Sequence, residues 1–180
     1  MLKHQRKFWD LENRIVLLIG GYGSGKTYIG ALKCIQMSYL NAPIPGMYIS
    51  PSHQLATKTI IETLKDICNR ASINYTYNQQ RSEFIFHNWN GVLWFGSGDK
   101  PDSLRGSNIA YSVIDEPFIQ KREVFNQMIA RVRHPDAVKS QIFLTGTPEQ
   151  LNWGFALAND QSMGIGVVNA STLDNPHLSD

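Results

Sequence analysis

The 180-residue chain has only two cysteines, Cys34 and Cys68, far apart and outside any CxxC pair. That excludes a disulfide scaffold and a thiolate metal centre, and leaves two buried thiols in a reducing compartment as the expectation. No apolar run is long enough to cross a bilayer and no secretory leader is visible, so the sequence predicts a soluble, intracellular protein with no membrane partner. An excess of either charge is also lacking. Lys and Arg number 17 against 15 Asp and Glu, a net of +2, so any nucleic-acid surface has to be local. Basic residues gather at Lys3, Arg6 and Lys7 and again at Arg131, Arg133, His134 and Lys139. Composition alone reads both groups as solvated faces. There are no repeats and no low-complexity linker, which fits a single domain over residues 1–180. His53, His87, His134 and His177 are scattered, and no Ser/His/Asp triad presents itself.

The chain does contain a glycine-rich run, Gly20-Gly21-Tyr22-Gly23-Ser24-Gly25-Lys26-Thr27. It follows the apolar stretch Arg14–Ile19 and opens a helical pattern with Ile29, Leu32, Ile35 and Tyr39 on one side. Glycines let a backbone curl so that several N–H groups converge on a polyphosphate, and the helix N-terminus adds its positive end. Lys26 is placed to reach the β- and γ-phosphates, and the Thr27 hydroxyl to ligate Mg²⁺. The expected ligand is a nucleoside triphosphate with Mg²⁺.

Short apolar runs alternate with helical patterns, the signature of an α/β sheet with crossover helices. Strands are expected at Arg14–Ile19, Met47–Ser50, near Asn74–Tyr77, at Ala110–Ile114, Gln141–Leu144 and near Gly166–Ala170. Helices are expected at about Lys26–Leu40, after an N-cap at Ser52 with Leu55, Ile60, Leu64 and Ile67 inward, near Arg122–Val132, and near Trp153–Ala158. Glu83–His87 and Val92–Phe95 flank Asn88-Trp89-Asn90-Gly91, a hairpin signal.

Ligands of open parallel sheets collect at the carboxyl ends of the strands. The phosphate loop, Asp115-Glu116 and Thr145-Gly146-Thr147 all fall at such ends. The first acid of Tyr111-Ser112-Val113-Ile114-Asp115-Glu116 suits Mg²⁺, and Glu116 can polarise the attacking water as a general base. Thr145 and Thr147 can hydrogen-bond the γ-phosphate or its water, unless Gly146 and Pro148 form a simple turn. Arg105, on the glycine-flanked loop Ser103-Leu104-Arg105-Gly106, can neutralise transition-state charge within its own subunit or across to a neighbour.

In this order, Gly-Gly-Tyr-Gly-Ser-Gly-Lys-Thr, Ser-Leu-Arg-Gly, Val-Ile-Asp-Glu-Pro and Thr-Gly-Thr-Pro-Glu with Asn152-Trp153, the chain resembles the ATPase domain of a tailed-phage terminase large subunit. The resemblance runs from about Gln5 to Pro176. It implies a P-loop NTPase fold (RecA-like, additional-strand class) with a mostly parallel sheet flanked by helices and a β-hairpin insertion near 83–95. It also implies ATP hydrolysis that translocates viral duplex DNA, gripped by its phosphate backbone without sequence preference, into a procapsid. The implied setting is the host cytoplasm. Pentameric rings on a portal are the implied assembly, with a small terminase subunit as a further candidate partner. By the same resemblance Asp115 would hold Mg²⁺, Glu116 the water, and Arg105 would act on a neighbour's ATP, while Thr145 to Thr147 would couple hydrolysis to movement. Gln5 resembles a glutamine that reads the adenine edge, with Phe8 or Trp9 either stacking there or packing beneath the first strand. Arg122, Arg131, Arg133 and Lys139 are candidate DNA contacts or interface residues.

Full-length relatives carry a nuclease domain, and no second cluster of carboxylates follows Asp115-Glu116, so cleavage is not expected of these residues. A helicase-like or remodelling ATPase is the alternative from the same fold, although the length leaves no room for a second motor lobe. A nucleotide-dependent assembly module with little activity alone is the alternative from another class.

Overall fold

Alternation along each strand decides which face it serves. In β1 (Ile15–Gly20), Val16 and Leu18 enter one apolar cluster while Ile15 and Leu17 enter another. β7 (Gln141–Gly146) repeats the split, with Phe143 on the first side and Ile142 and Leu144 on the second. Such strands are buried on both faces, as a parallel sheet covered by helices requires. The structure is a computed structural model, and it describes residues 1–101, 106, 108–148 and 153–176.

The remaining strands are β2 (Gly46–Ser50), β3 (Tyr75–Asn78), β4 (Glu83–Phe86), β5 (Gly91–Ser97), β6 (Tyr111–Asp115) and β8 (Gly166–Ala170). They form one eight-stranded sheet in the order β3-β4-β5-β2-β6-β7-β1-β8. Pairing is parallel throughout except along β3-β4-β5, where the expected hairpin adds antiparallel strands. Its tip folds back on the sheet's flank, with the Trp89 indole donating to Ser38 Oγ at 3.0 Å. The strands β6, β7 and β1 are adjacent, so the three segments that follow them meet at one edge.

Helices α1 (Lys3–Asp10), α2 (Lys26–Asn41), α3 (His53–Ala56) and α4 (Glu62–Arg70) contribute to the first cluster. Helices α5 (Arg122–Arg131) and α6 (Trp153–Asn159) cover the other face. The expected N-cap holds, with Ser52 Oγ accepting from Leu55 N at 3.2 Å. Between α3 and α4 the helix widens into a π segment, Thr57–Ile61. Thr57, Thr59 and Thr63 each donate a hydroxyl proton to the carbonyl four residues earlier. Such bonds compete with the helical amides and ease the wider turn.

One expectation is corrected here and one open alternative is decided. The inner face of α2 is not the Ile29, Leu32, Ile35 and Tyr39 side, since Tyr39 is 66% exposed. Of those four only Ile29 is buried, and Lys33, Cys34, Met37 and Asn41 complete the inner face. The face runs through a lysine, which apolar spacing cannot register. Lys33 is 1% exposed, donates to Trp9 O at 2.8 Å and Gln36 Oε1 at 3.0 Å, and stands over the rings of Trp9 and Phe143. Phe8 is also fully buried, edge-on to Phe143, so it is a core residue and not a stacking partner for a base. Trp9 packs against the same core beneath the Lys33 ammonium. Both cysteines are buried and free. Burial pushes the Cys68 thiol up to about 11 and Cys34 further, as expected for unreactive thiols.

Burial lowers the Lys33 ammonium from its ordinary 10.5 to about 8. Between those values the unfolded chain binds a proton that the folded chain has lost, so this group makes the fold more stable as pH rises through that window. Urea unfolding of the wild type and Lys33→Met at pH 7 and pH 10 checks this. The wild type should gain on the variant at the higher pH, and a constant difference would contradict it.

Candidate functional site

Three consecutive peptide planes of the glycine-rich loop are each held by a side chain from outside it. Asn175 Nδ2 donates to Gly23 O at 2.6 Å, and Gln5 Nε2 to Gly25 O at 3.1 Å. His4 Nε2 lies 2.8 Å from Ser24 O, a carbonyl that can only accept, so that nitrogen carries the proton. Gly23 and Gly25 have φ of 73° and 80°, which only glycine adopts without strain. Inside the loop, Lys26 Nζ donates to Gly20 O at 2.8 Å and Gly21 O at 3.0 Å. The first turn of α2 leaves its N–H groups without intrahelical acceptors, so the loop and helix together present donors to an anion.

Asp115 ends β6 opposite Thr145 of β7, whose hydroxyl donates to Asp115 Oδ1 at 3.1 Å. The carboxyl is 5% exposed. Burial raises it to about 6 and the Glu116 charge adds to the rise, while Thr145 and the Lys26 ammonium oppose it. The buried Tyr48 hydroxyl also lowers it, from beside the carboxyl, although its geometry falls short of a hydrogen bond.

Glu116 sits at φ 47° and ψ 56°, a left-handed conformation that a non-glycine residue adopts at a cost of order 1–3 kcal/mol. Its N–H is fixed to Thr145 O at 2.7 Å. Its carboxylate accepts from Thr147 N at 2.8 Å and from Thr147 Oγ1 at 3.3 Å. The 3₁₀ turn Pro117–Ile119 follows, packed so closely that a Cβ on Gly146 would lie 2.7 Å from the Phe118 ring. The Gln120 amide returns to Asp115 O, and the Trp153 indole donates to Gln120 O at 2.7 Å. A chain of contacts therefore runs from the buried acid to the start of α6.

Tyr22, Lys26, Thr27 and Glu116 line one cavity of about 680 Å³. Its far wall is the π segment and α4, through Lys58, Thr59, Glu62, Thr63 and Asp66. Sequence reasoning missed that wall. Its one signal was the run of polar residues spaced three and four apart on the solvent side of the helix after β2. The missed braces His4 and Asn175 carried no signal, since neither lies in a motif.

The oxygens that could hold Mg²⁺ are the Thr27 hydroxyl, which lines the cavity, and the buried Asp115 carboxylate. Among the described residues, no group of three or more His, Cys, Asp or Glu could hold a metal. The set fits magnesium, which takes one or two protein oxygens and completes its shell with phosphates and water.

Of the sequence-predicted residues, the structure brings Gly20 to Thr27, Asp115, Glu116 and Thr145 to Thr147 together. Gln5 is buried beneath the loop, with its amide oxygen taking Leu2 N at 2.8 Å and its nitrogen on Gly25 O, although it also borders a separate 400 Å³ pocket with Tyr28 and Arg70. Arg105 lies outside the described residues, as do Glu149 and Asn152. Arg131 and Arg133 pin the flank of that loop, donating to Gly106 O at 2.6 Å and Asn108 Oδ1 at 3.2 Å. Lys139 pairs with Glu12 at 2.5 Å. No helix among the described residues is long and apolar enough to cross a membrane.

Residues 17–180 match the family described as Terminase large subunit, T4likevirus-type, N-terminal. The PBSX phage terminase large subunit of Bacillus subtilis (strain 168) is 26% identical over 150 residues, which is 82% of this chain and 34% of the relative. The large terminase of a thermophilic bacteriophage, in complex with ADP, aligns with a TM-score of 0.82 at 16% identity, over 99% of this chain and 47% of its own. The ATPase domain of the Thermus phage P74-26 large terminase gives 0.68 at 14%, over 92% and 79%. The chain thus spans about a third of the curated relative and about half of the ADP-bound terminase. At these identities the structural likeness carries the fold, a P-loop NTPase-like sheet flanked by helices.

Asp115 is ionised in the unfolded chain above 3.8 but in the folded chain only above about 6. Its charge therefore costs stability that is absent below the first value and complete above the second. Asp115→Asn should raise the stability of the nucleotide-free protein by roughly 1–3 kcal/mol at pH 7. At pH 4 the gain should vanish. Denaturant melts at the two pH values check it, and equal gains at both would refute the burial account.

Proposed function

The chain belongs to the terminase large-subunit family, matching its T4-like N-terminal type, and we propose that it hydrolyses ATP to drive viral double-stranded DNA into a procapsid. The observation that carries this reading is the single cavity bounded by Lys26 and Thr27 on one side and Glu116 on the other. The large terminase of the thermophilic bacteriophage, whose fold this chain shares, is solved with ADP and with ATP-gamma-S, which supports ATP as the nucleotide.

In this reading Lys26 exchanges its two loop carbonyls for β- and γ-phosphate oxygens, joined by the N–H groups of Gly23 to Thr27. Thr27 and Asp115 would hold Mg²⁺, which when bound neutralises charge on the phosphates. Glu116 takes a proton from the attacking water as its oxygen bonds to the γ-phosphorus and the bond to the β-γ bridging oxygen breaks, releasing ADP. A carboxylate that has accepted a proton holds Thr147 less strongly, because a charged acceptor makes the stronger bond. Thr145, Gly146 and Thr147 are thereby the first segment to register hydrolysis.

Arg105 is proposed as the arginine finger, acting on a neighbour's ATP in a homo-oligomeric ring on the portal. The bonds from Arg131 and Arg133 to Gly106 and Asn108 support a fixed base for its loop. DNA is proposed to be held by phosphate contacts and so to bind with strong salt dependence. Gln5 is proposed to border the base while bracing the loop, and a small terminase subunit remains a proposed partner.

Phosphate release from ATP–Mg²⁺, with and without duplex DNA, tests the assignment. Glu116→Gln should lose on the order of 10²-fold or more in turnover while keeping nucleotide binding. Arg105→Ala should abolish a specific rate that rises with wild-type protein concentration. Absence of hydrolysis at every concentration, with ATP bound, would refute the motor and leave an assembly module.

A further inference from the structure

We propose that Asn175 is a positioning residue for the phosphate loop, setting its N–H groups for phosphate before nucleotide arrives. The inference rests on the ATP-binding reading of the same cavity. In a trans peptide the C=O and the following N–H point in opposite directions. Holding the Gly23 carbonyl outward therefore turns the Ser24 N–H inward, where it lies 3.3 Å from Gly21 O inside the loop. Gly23 is the plane most in need of such a hold. Its φ of 73° lies in a region where glycine has several conformations of similar energy, and Tyr22 before it is 70% exposed.

The segment that carries Asn175 is built to reach this point. β8 pairs with β1 up to Gly20 opposite Ala170, and Gly21 N extends the ladder by one bond to Ala170 O at 3.3 Å. The chain then closes into the 3₁₀ turn Thr172–Asp174. Ser171 Oγ accepts from Leu173 N at 3.2 Å, and Asp174 Oδ2 accepts from Ser171 N at 2.6 Å. Thr172 presses on Gly21, where an added Cβ would fall 2.3 Å from its hydroxyl oxygen. With the turn anchored at both ends, Asn175 arrives at Gly23 O from a fixed base. His4 and Gln5 of α1 serve the next two planes, so the loop is clamped at once from α1 and from the segment after β8.

The test compares Asn175→Ala and Asn175→Leu with the wild-type 180-residue chain, the second variant keeping the side chain's bulk without a donor. Affinity for ADP and ATP is read by titration, hydrolysis as KM and kcat, and fold integrity by the melting temperature without nucleotide. Both variants should bind about 5- to 10-fold more weakly, the scale of one hydrogen bond. KM should rise by the same factor, with kcat changed less than about twofold and the nucleotide-free melt unmoved. Unchanged affinity in both variants would overturn the inference, as would a loss of affinity that follows a fall in the nucleotide-free melt. Failure of the wild type to bind ATP would overturn the proposed function itself, and this inference with it.

Discussion

Burying one carboxylate at the end of a parallel strand constrains everything around it. Asp115 is enclosed, and an enclosed charge is tolerated only where hydrogen-bond donors or cations stand in for water. The sheet order supplies them. β6 lies between β2 and β7, and each neighbour brings one hydroxyl to the carboxyl, Tyr48 from the first and Thr145 from the second. The loop after β1, one strand further, brings the Lys26 ammonium. None of the three groups is close to Asp115 in sequence. The site exists because a particular strand order was reached, and the desolvated acid that results is what a divalent cation would relieve.

The second consequence of that order is a one-to-one pairing of threonines with acids. Thr145 serves Asp115 and Thr147 serves Glu116, both from the end of β7. The intervening Gly146 has no side chain because the Phe118 ring and Pro117 occupy its place. Both acids are therefore held by a single strand end. The indole of Trp153, tied to Gln120 and stacked on Phe125 at 5.6 Å, carries the contact on to the far helical face.

What sequence could show here follows from the kind of signal each feature leaves. The phosphate loop, the Asp-Glu pair and the Thr-Gly-Thr segment are contiguous, and strand alternation placed each at a carboxyl end, where the structure has them. The hairpin was legible through Asn90-Gly91, and Asn90 does adopt positive φ. Helix α1 was not legible, because its inward side is His4 and Gln5 as well as Phe8, and no apolar period marks it. The inner face of α2 was misplaced for the same reason at Lys33. Long-range polar contacts such as Asn175 to Gly23, 152 residues apart, leave no local trace at all.

The widened segment Thr57–Ile61 brings Lys58 and Thr59 to the cavity wall opposite the glycine-rich loop. A helix turns by about 100° for each residue, so the extra residue accommodated there sets the angle at which everything after it faces. Glu62, Thr63 and Asp66 look toward the loop because of that surplus, while Leu64, Ile67 and Cys68 take the core side. The threonines that hold the widening open are thus the angular setting of the wall. A chain shortened by one residue at this point could keep its fold and its glycine-rich loop intact, yet line the cavity with a differently oriented surface.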